Sequence, residues 1–138
     1  MNQKIIIRLL LILLFGFCII WVLKSFWKKQ QLKKEHAIAI AQIYSCTAGG
    51  RGNGGGLFID FKISVNGNDY YASSRYLTSI LSAADCESHF LGKTFPAVYN
   101  LKNPSLANLL IFPEDFALYN YPFPDSLKWV LQYKRGMH

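Results

Sequence analysis

The residues best suited to chemistry are Cys86 and His89, which lie three positions apart in a segment predicted to be helical. That spacing places a thiol and an imidazole on one helical face. The pair could act as nucleophile and base, or as two metal ligands with Cys46 as a third. The sequence offers no evident fourth ligand, orienting acid or oxyanion feature. It favours a partly buried cysteine beside an exposed histidine, and we predict no catalytic residue and no metal site.

Two glycine motifs resemble phosphate-binding loops. Gly50, Gly52 and Gly55 match the G-x-G-x-x-G spacing, which binds a dinucleotide by opening a helix whose N-terminus holds the pyrophosphate. Here the following residues alternate with a period of two and predict a strand, so no helix dipole would face the loop. The Gly92-Lys93-Thr94 motif lacks the glycine that a phosphate loop needs five residues earlier, where Glu87 stands. We therefore predict that the protein has no cofactor and is not an enzyme.

An apolar segment near the start of the chain predicts a membrane-spanning helix. Leu9–Leu23 is free of charge, and Ile5–Ile7 extends the apolar run. A helix from Ile5 to Leu23 would rise about 28 Å, close to the roughly 30 Å of hydrocarbon in a bilayer. Cleavage as a signal peptide would need a small-x-small site, but Lys-Ser-Phe-Trp-Lys-Lys follows. We predict a transmembrane helix with a lysine-rich juxtamembrane collar over residues 1–36.

The charge of the protein belongs to this first segment. The net charge of +7 resides within residues 1–34, and residues 35–138 carry eight basic and eight acidic side chains. This balance excludes a basic nucleic-acid-binding domain. The basic residues of the first segment are expected to contact the bilayer. Basic side chains and amphipathic aromatic rings favour the headgroup region. The predicted membrane-interface residues are Arg8, Trp21, Trp27, Lys24, Lys28 and Lys29.

The direction of insertion depends on the two basic flanks. Lys4, Arg8 and the α-amine lie on one side of the apolar run, and five lysines lie on the other. The larger number favours a single-pass membrane protein whose C-terminal domain is cytoplasmic. A disulfide between Cys46 and Cys86 would instead require an oxidising compartment, but two cysteines do not establish that they pair.

Residues 37–138 predict a small β-rich globular domain. Apolar alternation and turn signals predict strands over 38–47, 57–65, 70–74, 94–99 and 106–112, and short helices over 83–91, 114–119 and 125–133. The predicted fold class is α+β, mainly β, with one N-terminal transmembrane helix followed by a small antiparallel β-barrel-like domain.

Side-chain alternation predicts the faces of the first two strands. In the first, Ile38, Ile40, Gln42, Tyr44 and Cys46 fall on one side. In the second, an unbroken alternation directs one apolar set to the core: Leu57, Ile59, Phe61, Ile63 and Val65. A tight turn is expected at Asn66-Gly67-Asn68-Asp69.

The end of the chain is rich in aromatic residues and prolines. These rings could form a protein-recognition surface, or a flap that covers an open end of the barrel. The flap is favoured because a small domain needs the apolar area for its core. The residues predicted as possible partner contacts are Arg51, in the glycine loop, and Tyr119, Tyr121, Phe123 and Trp129.

Two motifs carry a resemblance to a known group of proteins. They are the run Gly92-Lys93-Thr94-Phe95-Pro96-Ala97-Val98-Tyr99 followed by Asn103-Pro104-Ser105, and the hairpin segment Val65-Asn66-Gly67-Asn68-Asp69-Tyr70-Tyr71. Over about residues 38–112 the chain resembles small, membrane-tethered bacterial β-domain proteins of unknown function. The aromatic extension Pro113–His138 departs from the shorter members. The resemblance implies a small barrel-like fold and no activity.

These observations predict a membrane-anchored, non-enzymatic module that binds another protein and no nucleic acid. Tethering raises the effective concentration at the membrane, so that a weak interface suffices. The alternatives are a toxin-neutralising, immunity-type membrane protein and an accessory subunit whose span packs against other membrane helices. An enzyme that uses Cys86 and His89 is a further alternative.

Overall fold

The predicted fold class is confirmed. A computed structural model describes residues 3–50 and 55–136, apart from the side chain of Lys28. It contains a long apolar N-terminal helix, followed by a five-stranded antiparallel barrel that is nearly closed and carries short helices.

Helix α1 spans Gln3–Lys34. Its most apolar window has a mean hydropathy of 2.9 and contains no buried residue. Among the described residues it is the one helix long and apolar enough to cross a membrane, as an anchor or as a signal sequence. Glu35 alone separates α1 from strand β1, His36–Ala48, so the helix leads directly into the barrel.

The other strands are β2 (Gly56–Val65), β3 (Asn68–Leu77), β4 (Thr94–Asn100) and β5 (Ala107–Leu109). Their order is β3-β2-β1-β4-β5, and every neighbouring pair is antiparallel. The two edge strands approach each other through side chains. The Leu109 amide donates to Ser74 Oγ at 2.9 Å, and Tyr76 Oη lies 3.0 Å from the Leu109 carbonyl oxygen. These contacts replace a backbone ladder and bring the barrel close to closure.

Strand β2 follows its sequence pattern. Leu57, Ile59, Phe61 and Ile63 all point inward and are buried. The turn into β3 has Asn66 and Gly67 at φ of 50° and 79°, the left-handed conformations of a two-residue hairpin. The local sequence therefore determines both the face and the register of this hairpin.

Strand β1 departs from the predicted alternation at Tyr44. Ile43 pairs with Phe61 and Ser45 with Asp60, so Tyr44 is the additional residue of a β-bulge. Beyond a one-residue bulge the side chains change faces. Cys46 is consequently buried on the same side as Ile43, whereas Ile38, Ile40 and Tyr44 are exposed. The prediction that Cys46 shares a face with those residues is wrong.

The first short helix begins and ends where the sequence predicted. Helix α2, Ala83–Asp85, is capped by Ser82, whose Oγ accepts from the Asp85 amide at 3.1 Å. A π-helical turn continues it over Cys86–Phe90. Gly92 then reverses the chain at a φ of 77°, a conformation that favours glycine.

The C-terminal elements are shorter or tighter than predicted. β5 stops at Leu109, because the carboxylate of Asp115 takes the amides of Ile111 and Phe112 and turns the chain into helix α3, Pro113–Ala117. The last element, Asp125–Tyr133, is a 3₁₀ helix. Its three-residue turn places Leu127, Val130 and Tyr133 in one row that faces the barrel core.

Candidate functional site: the groove at the barrel seam

The gap between β3 and β5 opens into a groove of about 900 Å³. The last turns of α1 and helix α3 form its sides. This volume falls within the roughly 300–1,000 Å³ typical of small-molecule sites. Most of the lining is apolar, and the principal apolar contributors are Phe26, Leu32, Ile80, Leu106, Leu109 and Leu118.

One face of α1 lines the groove. Phe26, Lys29, Gln30 and Lys33 have the i, i+3, i+4, i+7 spacing of a single helical stripe. Phe26 lies toward the apolar run of α1, and the two lysines follow it toward the barrel. The groove is therefore apolar nearest that run and basic along its rim.

The helix is held against the barrel at this point. Leu32 is only 3% exposed and belongs to the barrel core. Asn100 Nδ2 donates to the Gln31 carbonyl oxygen at 3.2 Å, and Lys102 pairs with Glu35 at 2.9 Å. The buried contact dominates, since an exposed ion pair contributes little.

A tyrosine–aspartate pair forms the polar part of the groove lining. Tyr76 Oη lies 2.9 Å from Asp115 Oδ2, which also accepts from the amides of Ile111 at 3.0 Å and Phe112 at 2.9 Å. Burial raises the pKa of Asp115, and its hydrogen bonds oppose that shift. Burial, together with the nearby Asp115 charge, raises the pKa of Tyr76 well above its usual value. The carboxylate is directed toward these donors and links α3 to β3.

Replacing Asp115 by alanine is expected to lower the free energy of unfolding by about 3 kcal/mol, because the amides of the buried Ile111 and Phe112 lose their acceptor and the Tyr76 hydroxyl loses one of its two. Chemical denaturation of the full chain in detergent, followed by near-ultraviolet circular dichroism, measures this change. Glu114→Ala is the matched control, since its ion pair with Lys134 is solvent-exposed on the glutamate side and contributes about 1 kcal/mol or less. Equal effects of the two substitutions would contradict the structural role of Asp115.

The raised pKa of Asp115 also predicts that the stability of the folded protein depends on pH. Its pKa is raised in the folded state, so the native chain binds this proton more tightly than the unfolded chain does. The resulting stability is present below the unfolded pKa, near 3.9, and is lost as pH rises through the folded pKa.

Cys46 and Cys86 form a disulfide, with their Cα atoms 6.1 Å apart. The bulge at Tyr44 turns Cys46 inward, and the π-helical turn after α2 presents Cys86 from the other side. His89 stacks on Tyr133, with ring centroids 4.3 Å apart. In this state Cys86 has no free thiolate to act as a nucleophile. No group of three or more potential metal-ligating side chains occurs within residues 3–50 and 55–136.

The aromatic residues predicted as partner contacts pack against the barrel. Tyr119 is buried, and its hydroxyl accepts from Asn108 Nδ2 at 2.8 Å. Phe123 contacts Phe116, and Trp129 lies beneath the Lys93 ammonium, 4.4 Å from its ring centroid. Tyr121, Phe123 and Trp129 remain half-buried. Their contact with a partner stays a prediction, and Arg51 lies outside the described residues.

The predicted membrane-interface residues are distributed along α1. Arg8, Trp21, Lys24, Trp27 and Lys29 are all exposed. Lys28 lies outside the described side chains. The structure brings Lys29, among these residues, to the groove. Contact of the whole set with lipid remains a prediction.

The sequence interpretation missed an exposed apolar surface on the outside of the barrel. Ile40 is 64% exposed, Tyr44 52% and Tyr71 60%, and the two tyrosine rings meet at 5.9 Å. With Ile38 they form what we call the outer apolar surface. The sequence signal for this surface was the alternation of large residues with alanines along β1. Ala39 and Ala41 face the interior because Phe61 and Phe95 already fill it.

No family model matches the chain, and comparisons with curated proteins and with solved structures also found no match. The proposals below therefore depend on the residues and geometry of this chain.

Proposed function

We propose that the chain is a single-pass bacterial membrane protein whose barrel domain binds another protein at the outer face of the cytoplasmic membrane and catalyses no reaction. The observation that carries the proposal is the outer apolar surface on a barrel that follows directly from an exposed apolar helix. The resemblance to membrane-tethered bacterial β-domain proteins accords with it.

The contacts of α1 support a retained anchor. A cleaved signal peptide leaves the mature domain, but here the last turn of the helix contributes Leu32 to the barrel core. Removing the helix before Leu32 would take Phe26, Lys29 and Gln30 from the α1 wall of the apolar groove. An uncleaved span keeps that surface covered and holds the barrel next to the bilayer.

The Cys46–Cys86 disulfide supports an extracytoplasmic domain. The lysine distribution predicted the cytoplasmic side, but both flanks of the span are basic, so the positive-inside bias is small. Disulfides persist in oxidising compartments and are rare in the reducing cytosol. We therefore propose that the barrel domain is extracytoplasmic and that Lys4 and Arg8 lie on the cytoplasmic side.

The state of Cys86 and His89 supports a binding function over an enzymatic one. The Cys86 sulfur is in a disulfide, and the His89 ring is stacked on Tyr133. In contrast, the outer apolar surface is exposed, although the outside of a barrel domain in water is normally polar. Apolar and aromatic side chains of this kind are the residues that anchor protein interfaces.

Site-specific photocrosslinking in intact cells tests this proposal. A benzophenone side chain in place of Tyr71 is expected to give one discrete protein adduct, whereas the same group in place of the exposed Glu87 gives none. Adding Ile40→Glu should reduce the Tyr71 adduct by about tenfold, because it introduces a charge into an apolar interface. Leu118→Glu, an exposed leucine at the seam between the edge strands β3 and β5, is the matched control. An adduct that is unaffected by Ile40→Glu would contradict the proposal.

A further inference from the structure

We propose that the groove at the barrel seam binds one anionic phospholipid from the bilayer, with an acyl chain in the groove and the phosphate at Lys29 and Lys33. The proposal rests on the membrane anchoring proposed above and is independent of the protein-binding surface. It assigns an occupant to a cavity that the barrel itself leaves unfilled.

The position of the groove favours a lipid. A helix rises 1.5 Å per residue, so along its axis Phe26 lies about 5 Å, Lys29 about 9 Å and Lys33 about 15 Å beyond Leu23, the end of the apolar run. The long side chains of the two lysines can extend back toward the bilayer. The polar headgroup layer extends roughly 5–8 Å beyond the hydrocarbon. Phe26 is exposed and lines the groove, so the apolar lining continues from the lipid-facing surface of α1. An acyl chain can enter the groove from this level without crossing a polar barrier.

The charge of the rim favours an anionic headgroup. Lys29 and Lys33 are one helical turn apart on the same face and are both exposed. Arg75 lines the groove as well, with its guanidinium over the Phe58 ring at 6.0 Å. The acidic residue in the lining is Asp115, whose Oδ2 accepts from the Ile111 and Phe112 amides. The exposed charge at the rim is therefore positive.

Native mass spectrometry of the full-length protein, extracted from membranes in detergent and titrated with phosphatidylglycerol, tests this inference. We expect one phosphatidylglycerol to be retained, and phosphatidylcholine to bind at least tenfold more weakly. The double variant Lys29→Gln/Lys33→Gln should weaken phosphatidylglycerol binding by about 30-fold, since each lysine near an anionic lipid contributes about 1 kcal/mol.

Two matched controls separate the groove from general electrostatic attraction. Lys24→Gln/Lys34→Gln removes the same charge from the same helix outside the groove lining and should leave lipid retention nearly unchanged. Leu118→Glu, at a 57% exposed groove position, should reduce retention at least tenfold, whereas Leu101→Glu, at a 58% exposed position elsewhere, should not. Equal losses in both lysine pairs, or equal retention of the two lipids, would overturn the inference. Failure of the anchor would be seen separately, because the protein would then be absent from the membrane fraction.

Discussion

Replacing both Cys46 and Cys86 by serine is expected to lower the free energy of unfolding of the barrel domain by about 4 kcal/mol. The bond joins residues 40 positions apart and links β1 to the turn that precedes β4. In the loop-closure model, a cross-link of this span removes about 4 kcal/mol of chain entropy from the unfolded state. This is a large share of the roughly 5–15 kcal/mol that stabilises a typical domain.

Denaturant unfolding of the detergent-solubilised chain measures this loss, and Cys18→Ser is the control. Cys18 lies exposed on α1 and carries the remaining thiol, so its replacement should leave the stability of the barrel unchanged. A double serine variant within 1 kcal/mol of the parent would contradict a structural role for the disulfide.

The redox state of the same cysteines in cells also tests the compartment. After rapid acid quenching and denaturation, a maleimide-linked polymer should modify one thiol per chain without reductant and three with it. Those numbers correspond to a free Cys18 and an oxidised Cys46–Cys86 pair. Modification of all three thiols before reduction would indicate that the barrel domain lies on the cytoplasmic side.

Replacing Phe90 by alanine is expected to lower the free energy of unfolding by 3–5 kcal/mol, the usual range for a buried phenylalanine. Its ring is fully buried. The centroids of Phe95, Trp129 and Tyr133 lie 5.5, 5.3 and 5.7 Å away. Phe90 therefore joins the strand core to the C-terminal 3₁₀ helix, and its loss would leave a cavity between them.

The emission of Trp129 adds a local measurement to this experiment. Phe90→Ala should shift the Trp129 contribution to longer wavelength, because water gains access to a ring that is now half-buried. Replacing Trp21 and Trp27 by phenylalanine removes the fluorescence of the two tryptophans on α1, so that Trp129 is the remaining emitter. Leu91→Ala, at the exposed neighbouring position, should change stability by less than about 1 kcal/mol. Comparable effects at positions 90 and 91 would contradict the packing of the tail against the barrel.

The elements with local causes could be predicted from the sequence. The apolar run of α1 can be identified from the sequence because its length and uniform hydropathy are sufficient. Strand β2 alternates without interruption, and Asn66-Gly67 supplies the positive φ values that a two-residue hairpin requires. Ser82 and Gly92 likewise begin and end their helix through hydrogen bonds and backbone freedom close in sequence.

The places where distant segments meet depend on the packing of the whole domain, which no local pattern encodes. The bulge at Tyr44 depends on the pairing of β1 with β2, and it alone directs Cys46 toward Cys86. The groove combines residues of α1, β3, β5 and α3 because the barrel stops short of closing between its edge strands. A period-two pattern records which residues alternate, but not which strand lies opposite. The strand pairing follows from burial of the whole core at once. The disulfide, the outer apolar surface and the groove are consequences of that pairing.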